Sequence, residues 1–339
     1  MSPLIKDLFA GTRRVALLIA SAFWQLANLR AWCHLLRPAN RRTIKFTGVG
    51  NILDKTLYYP SFYHFIKDVP SIGRPRRYDY LVCQNFLHED FVASGKPKVF
   101  FTREPMAYMT PETRKNLQRN ELRPYLYLYD EPGVEQRMFY VALKENRGRT
   151  IRQREKMLWE KRSGFCCIIN RYVEHDELNL LEQRIRFIRA MGSDMDIYGY
   201  DPWQGKNKWR DYDNYRGPAD NKMKTLSRYT FALTFENTDY PGYITEKLLD
   251  ALSAGAVPLY WGGGHLMESI PDDCYIDCRN QDPEKIYQHI RIMSHETIVG
   301  YRKAALEFLG SSLADRFTRK YWAQAIVKRL KVQDEKTDC

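Results

Sequence analysis

Residues 235–247 read Phe-Glu-Asn-Thr-Asp-Tyr-Pro-Gly-Tyr-Ile-Thr-Glu-Lys, and they hold the densest set of chemically useful side chains in the chain. The strand-like run ending at Phe235 delivers Glu236, Asn237 and Thr238 to its carboxyl end, where open parallel α/β sheets place their ligands. A turn over residues 239–242 then leads to Tyr243, Ile244, Thr245, Glu246 and Lys247 at the start of a helix. The first N–H groups of a helix lack partners and carry partial positive charge, so this start suits a diphosphate. Lys247 adds a full positive charge. Glu246 can accept hydrogen bonds from ribose or sugar hydroxyls, and Asn237 can both donate and accept. Gly262, Gly263 and Gly264 follow the next strand-like run and allow backbone to approach a ligand closely. By spacing alone, a second reading stands beside this one. In it Thr245 only caps the helix, and Glu246 and Lys247 are solvated first-turn residues.

Elements that can position these groups follow from the patterning. Thr43 to Thr47, residues 79–84 and Lys98 to Thr102 read as strands, with a helix over residues 86–94 that stops at Gly95. A second alternating unit begins at residues 165–170. It continues with a helix over 176–191, strands over 196–199 and 230–235, a helix over 244–254, a strand over 256–260 and mostly helical chain to about 331. The expected architecture is α/β, with two doubly wound units facing a cleft. The expected organisation is an N-terminal segment over residues 1–42, a first unit over 43–143, a basic linker over 144–162, a second unit over 163–310, and a C-terminal helix and tail over 311–339. With 339 residues, two domains are the better expectation.

Composition bounds the partners. Lys and Arg number 53 against 41 acids, a formal charge of +12, which favours anionic partners. No nucleic-acid module is visible, and a membrane surface together with a diphosphate donor is the preferred reading. Val15 to Trp24 is an apolar run too short to cross a hydrocarbon layer of about 30 Å. Flanking arginines with Trp24 and Trp32 suggest a helix lying on an anionic leaflet. A signal anchor and a helix packed on the domain are the alternatives. The seven cysteines fit no zinc or redox spacing and are expected to be free thiols, although Cys274 and Cys278 are close enough in sequence to pair. A cytoplasmic protein, peripheral on the inner membrane face, is expected, with a type II membrane anchor as the alternative. Asp194-Met-Asp196 and Asp211-Tyr-Asp213 have the spacing of a metal-binding pair. One lies at a strand start and the other in a polar loop, and both are discounted.

The run from Phe231 to Gly263, containing Phe-Glu-Asn-Thr, Tyr-Ile-Thr-Glu-Lys and Tyr-Trp-Gly-Gly, closely resembles the donor-site signature of the α-1,3/1,4-fucosyltransferases, glycosyltransferase family ten. Weaker similarity extends over about residues 43–310. The resemblance implies a GT-B fold of two Rossmann-like domains, with the acceptor mainly in the first and GDP-fucose mainly in the second. It implies transfer of L-fucose to a hydroxyl of an oligosaccharide or glycolipid in α-1,3 or α-1,4 linkage. Together with the basic N-terminal segment this points to surface polysaccharide or lipopolysaccharide synthesis, and without an Asp-x-Asp pair in the donor segment no obligatory cofactor or metal is expected. The resemblance puts Asn237, Tyr243, Glu246 and Lys247 on donor positions, with Lys247 at the diphosphate. A family arginine on the helix after the donor domain's first strand falls on Arg184 or Arg186, and the Arg-x-x-Phe spacing favours Arg184. The family's base, a Glu closing the third strand of the first domain, falls on Glu104. Here Arg103 and Pro105 depart from the family's neighbouring residues. Two other expectations are carried: the same fold with a different GDP- or UDP-sugar, and a non-catalytic basic protein that binds membrane or nucleic acid.

Overall fold

The computed structural model describes chiefly residues 43–47, 71–73, 80–84, 98–102, 125–126, 135–136, 151–172, 179–199, 208–240, 243–263 and 270–318. The N-terminal segment, Glu104, Pro241, Gly242 and the tail beyond 318 lie outside the described residues.

Among the described residues the strands form two sheets. The first holds β1 (Thr43–Thr47), β2 (Ser71–Gly73), β3 (Tyr80–Gln84), β4 (Lys98–Thr102), β5 (Tyr125–Leu126) and β6 (Glu135–Gln136), in the order β2-β1-β3-β4-β5-β6. Every pairing in it is parallel. The three strands expected from the sequence are present here, and β4 ends two residues before Glu104.

The second sheet holds β7 (Gly164–Ile169), β8 (Met195–Tyr198), β9 (Tyr229–Leu233), β10 (Val257–Tyr260) and β11 (Ile276–Asp277). Its order is β11-β10-β9-β7-β8, again all parallel. Counted from its own first strand this is the 2-1-3-4-5 winding, in which the strand order reverses between the first and third strands. The reversal therefore falls between β7 and β9, and a ligand crevice is expected beyond their carboxyl ends. β11 was hidden within the stretch expected to be helical, because two residues give no readable period.

The α-helices with described bounds are α1 (Ile151–Trp159), α2 (Leu181–Met191), α3 (Lys222–Leu226), α4 (Glu246–Ala254), α5 (Pro283–Arg291) and α6 (His295–Gly310). In α2 the buried set is Leu181, Arg184, Ile185, Phe187, Ile188 and Met191, the helical spacing of a core-facing stripe. The sequence placed the start of this helix at 176. The described part begins only at Leu181, because Asn179 bridges to Thr238 and its Oδ1 accepts from the Leu181 N–H. In α4 every residue from Leu248 to Ala254 is buried. The helix closes on Gly255, whose φ of 78° is left-handed and costs a glycine little. Phe187, Phe235 and Trp261 meet in edge-on pairs, with ring centroids 5.0 and 5.7 Å apart. Each buried ring of this kind stabilises by about 1.5–3 kcal/mol, and together they fix α2 against the end of β9. Cys166, Cys167, Cys274 and Cys278 are buried free thiols, as expected.

The basic stretch read as a linker is not wholly solvated. Met157 of α1 is buried, and Arg162 donates from Nη2 to the Met157 carbonyl at 3.1 Å. Arg302 of α6 donates from Nη1 to the carbonyls of Leu158 and Glu160 at 3.0 and 3.2 Å. Two guanidinium groups thus satisfy the open carbonyls of the helix end and hold α1 to the second sheet's layer.

Candidate donor site

The strand β9 ends at Leu233, two residues earlier than the sequence suggested, yet the chain remains tied to β10. Thr234 donates its N–H to the Leu259 carbonyl at 2.9 Å, and Glu236 donates to that of Trp261 at 2.9 Å. This extension carries Glu236 into the interior, where it is fully buried.

A buried carboxylate is costly unless it is paired and hydrogen-bonded. Four donors converge on Glu236. Oε1 accepts from the Thr245 N–H at 2.7 Å and from the Tyr260 hydroxyl at 3.1 Å. Oε2 accepts from the Thr245 hydroxyl at 2.6 Å and from Lys247 Nζ at 3.2 Å. The same Nζ lies 3.2 Å from Thr245 Oγ1. Thr245 is also the N-cap of α4, with its side chain accepting from the Lys247 N–H. The capping reading and the functional reading therefore coincide: one residue caps α4 and locks Glu236 at the same time. Burial pushes the Tyr260 phenol well above its ordinary value, and the neighbouring Glu236 carboxylate adds to the shift.

Gly262 lies against this carboxylate. A Cβ there would sit 2.4 Å from Glu236 Cγ and 2.8 Å from the Tyr260 oxygen, so no larger residue fits without displacing them. Trp261 Nε1 donates to Asp239 Oδ2 at 3.0 Å and ties the turn after β9 to the end of β10.

The other sequence-predicted groups fall around this core. Arg184 is buried, and its Nη2 donates to the carbonyls of Phe235, at 2.9 Å, and of Glu236. It therefore reaches the same strand end, while Arg186 is turned outward to Gln183. Asn237 accepts from the Leu180 N–H through its backbone carbonyl, which leaves the side chain's chemistry to the half-buried face. Tyr243 is buried. Glu246 is half-buried and pairs with Lys222 at 3.8 Å, and the same ammonium lies 2.8 Å from Asp250. Burial works to lower the Lys222 pKa, but Glu246 and Asp250 outweigh it and hold the group above its ordinary value. Glu104 lies outside the described residues.

The first discounted acidic pair lies away from this end. Asp194 accepts from the Tyr287 hydroxyl and Arg291, and Asp196 from Arg216 and the Tyr229 hydroxyl, all at the opposite side of the sheet. Asp211 and Asp213 lie in or beside a short 3-10 turn. Among the described residues no group of three or more His, Cys, Asp or Glu side chains is placed to hold a metal ion.

Sequence reasoning assigned no role to Glu236, Tyr260 or Lys222. One signal was available for Glu236: an acid directly after an apolar strand end, between Phe235 and Asn237, must find partners if it is buried.

The family model described as glycosyltransferase family 10 (fucosyltransferase), C-terminal, matches residues 159–303. These residues form a family 10 glycosyltransferase domain. Its span runs from the end of α1 through β11 and α5 into α6, and it contains the residues of the Glu236 cluster described above. An α-(1,3)-fucosyltransferase of Helicobacter pylori is 31% identical over 128 residues, which is 35% of this chain and 25% of that protein. An Arabidopsis thaliana α-(1,4)-fucosyltransferase is 42% identical over 52 residues, 15% of this chain and 13% of that one. The matched stretches thus span a quarter or less of these relatives' lengths. An α1,3-fucosyltransferase solved with GDP-fucose superposes with a TM-score of 0.53 at 17% identity, covering 87% of this chain and 92% of that chain. Anabaena HepE with UDP-glucose gives 0.52 at 10% identity, covering 86% and 100%. At these identities the likeness establishes the fold, which is of the GT-B type, as the family 10 resemblance implied.

Proposed function

We propose that the chain is an inverting fucosyltransferase that moves L-fucose from GDP-fucose to a hydroxyl of a glycan acceptor, in α-1,3 or α-1,4 linkage. The observation that carries this reading is the Glu236–Thr245–Lys247 lock at the start of α4, at the carboxyl end of β9. An ammonium has three donors. Glu236 Oε2 and Thr245 Oγ1 take two, which leaves one for a diphosphate oxygen beside the helix N-terminus. Negative charge builds on the leaving GDP as the glycosidic bond breaks, and groups already held in place stabilise it without reorganising. Lys247, the α4 N-terminus and Arg184 take that role in this proposal. Glu246 and Asn237 bind ribose or fucose hydroxyls, and Tyr243 shapes the donor pocket. Glu104, following β4 in the first sheet, takes the acceptor's proton as its oxygen attacks the anomeric carbon. The reaction needs no obligatory metal.

The proposal further divides the chain into an acceptor unit over 43–143 and a donor unit over 163–310. The acceptor is a surface polysaccharide or lipopolysaccharide precursor, and residues 13–36 hold the enzyme on the inner membrane face. Among the described residues no helix is long and apolar enough to cross a membrane.

A glycan array with a panel of GDP- and UDP-sugars, with and without EDTA, tests this reading. Fucose transfer from GDP-fucose in EDTA is expected, and transfer from another donor alone would overturn the donor assignment. Lys247→Ala is expected to weaken GDP binding at least about tenfold. Glu104→Gln is expected to lower turnover by about 10²–10⁴-fold while GDP-fucose still binds. Unimpaired turnover in that variant would remove Glu104 as the base.

A further inference from the structure

The opposite edge of the second sheet carries a cavity of about 370 Å³ that the donor chemistry does not use. It opens beside the amino-terminal ends of β7 and β9, and its polar lining includes Glu160, Lys161, Arg162, His295 and Arg302. We propose that this cavity binds a phosphate-class oxyanion.

Two guanidinium groups carry the argument. Arg302 is 2% exposed and the Arg162 side chain 5%. Arg302 uses Nη1 for the carbonyls that end α1, and Arg162 uses Nη1 for the Ser227 carbonyl at 2.7 Å and Nη2 for that of Met157. The Nε of each is buried with no hydrogen-bond partner. In Arg302 this leaves unused the side of the fork formed by Nε and Nη2, the geometry that grips two oxygens of a phosphate. Burial lowers the Arg302 pKa to about 10, and the neighbouring Arg162 charge lowers it further, with Glu160 opposing both. Glu160 is the carboxylate lining the cavity. It is 3.3 Å from Arg162, 42% exposed, and shared with Lys156 at 3.5 Å. The N-terminus of the 16-residue helix α6 points the same way, since His295 and Ile298 of its first turn line the cavity. Trp159, 60% exposed, packs beside His295 at 6.3 Å, and Ile292, 84% exposed, precedes the lining residue Met293. The oxyanion is therefore either a free phosphate or the headgroup of an anionic lipid on which these two side chains rest.

Titration of the full chain with inorganic phosphate, followed calorimetrically, tests the proposal. The variants are Lys161→Glu and His295→Glu, which add negative charge at the cavity without removing a hydrogen bond that holds α1. The titrations are run with GDP present, so that the diphosphate end is filled. Phosphate is expected to bind the wild type, and to bind about tenfold more weakly in each of the two variants. Cosedimentation with phosphatidic acid/phosphatidylcholine vesicles, against phosphatidylcholine alone, separates the sources. Sedimentation that falls in both Glu variants and is competed by phosphate identifies a headgroup. Phosphate binding without such sedimentation identifies a soluble ligand. Absence of phosphate binding to the wild type, or equal affinity in wild type and both Glu variants, overturns the proposal.

Discussion

The two edges of the second sheet handle positive charge in opposite ways. At the carboxyl edge, Lys247 is matched by one fully buried carboxylate, Glu236, which has four donors around it. At the amino edge, Arg162 and Arg302 are more buried than Lys247, yet they face backbone carbonyls and one half-exposed acid. The contrast shows that burial of a cation says little by itself about its role. Lys247 is held in a fixed place before any ligand arrives, so an anion there meets a preorganised donor. The arginines organise a helix end, and their charge is left over.

The largest effect that should break this contrast is removal of Glu236. Glu236→Ala leaves Lys247, the Tyr260 hydroxyl and the Thr245 N–H without their acceptor in the interior. A loss of about 3–5 kcal/mol is expected for breaking a buried pair by deleting one partner, measured by urea unfolding. Glu236→Gln keeps the shape and is expected to be milder. Equal stability of Glu236→Ala and the wild type would mean that the lock does not organise this edge.

Gly262→Ala is the next in size. Its Cβ would press on Glu236 Cγ at 2.4 Å. A cost of about 1–3 kcal/mol is expected, together with weaker GDP binding because Lys247 moves with its carboxylate. Loss of stability with unchanged GDP affinity would separate the lock from the ligand site.

The smallest effect is a pH dependence that arises just before β11. Cys274 is raised by burial, and next by Asp273, from an ordinary value near 9 to about 12. Tyr275 is raised, by burial first and then by Asp277, from near 10 to about 12. Each group is harder to ionise folded than unfolded, so its contribution is complete below the unfolded value and is lost as pH rises. Stability is expected to fall progressively between about pH 9 and 12. Thermal melts across that range check the sign, and a flat profile would remove these groups as the cause.

Much of the second sheet was legible in the sequence, because its strands are short apolar runs between polar turns. The start of α2 was misjudged, since the polar residues ahead of Leu181 carry no signal that Asn179 is diverted into a bridge with Thr238. At the site, the spacing of Thr245, Glu246 and Lys247 gave the helix start. It gave no sign that Lys247 turns back onto Glu236, eleven residues earlier, because that contact needs the strand and the helix to be packed.

The sequence by itself determined the alternation of strand and helix, the basic balance and the family resemblance of residues 231–263. These are properties of residue type and near spacing. Only the tertiary structure decided which cation is matched and which is surplus. Glu236, Tyr260 and Lys247 come from three different elements, as do Arg162, Arg302 and the end of α1. Whether a buried charge finds its partner depends on how those elements pack, which no local pattern records.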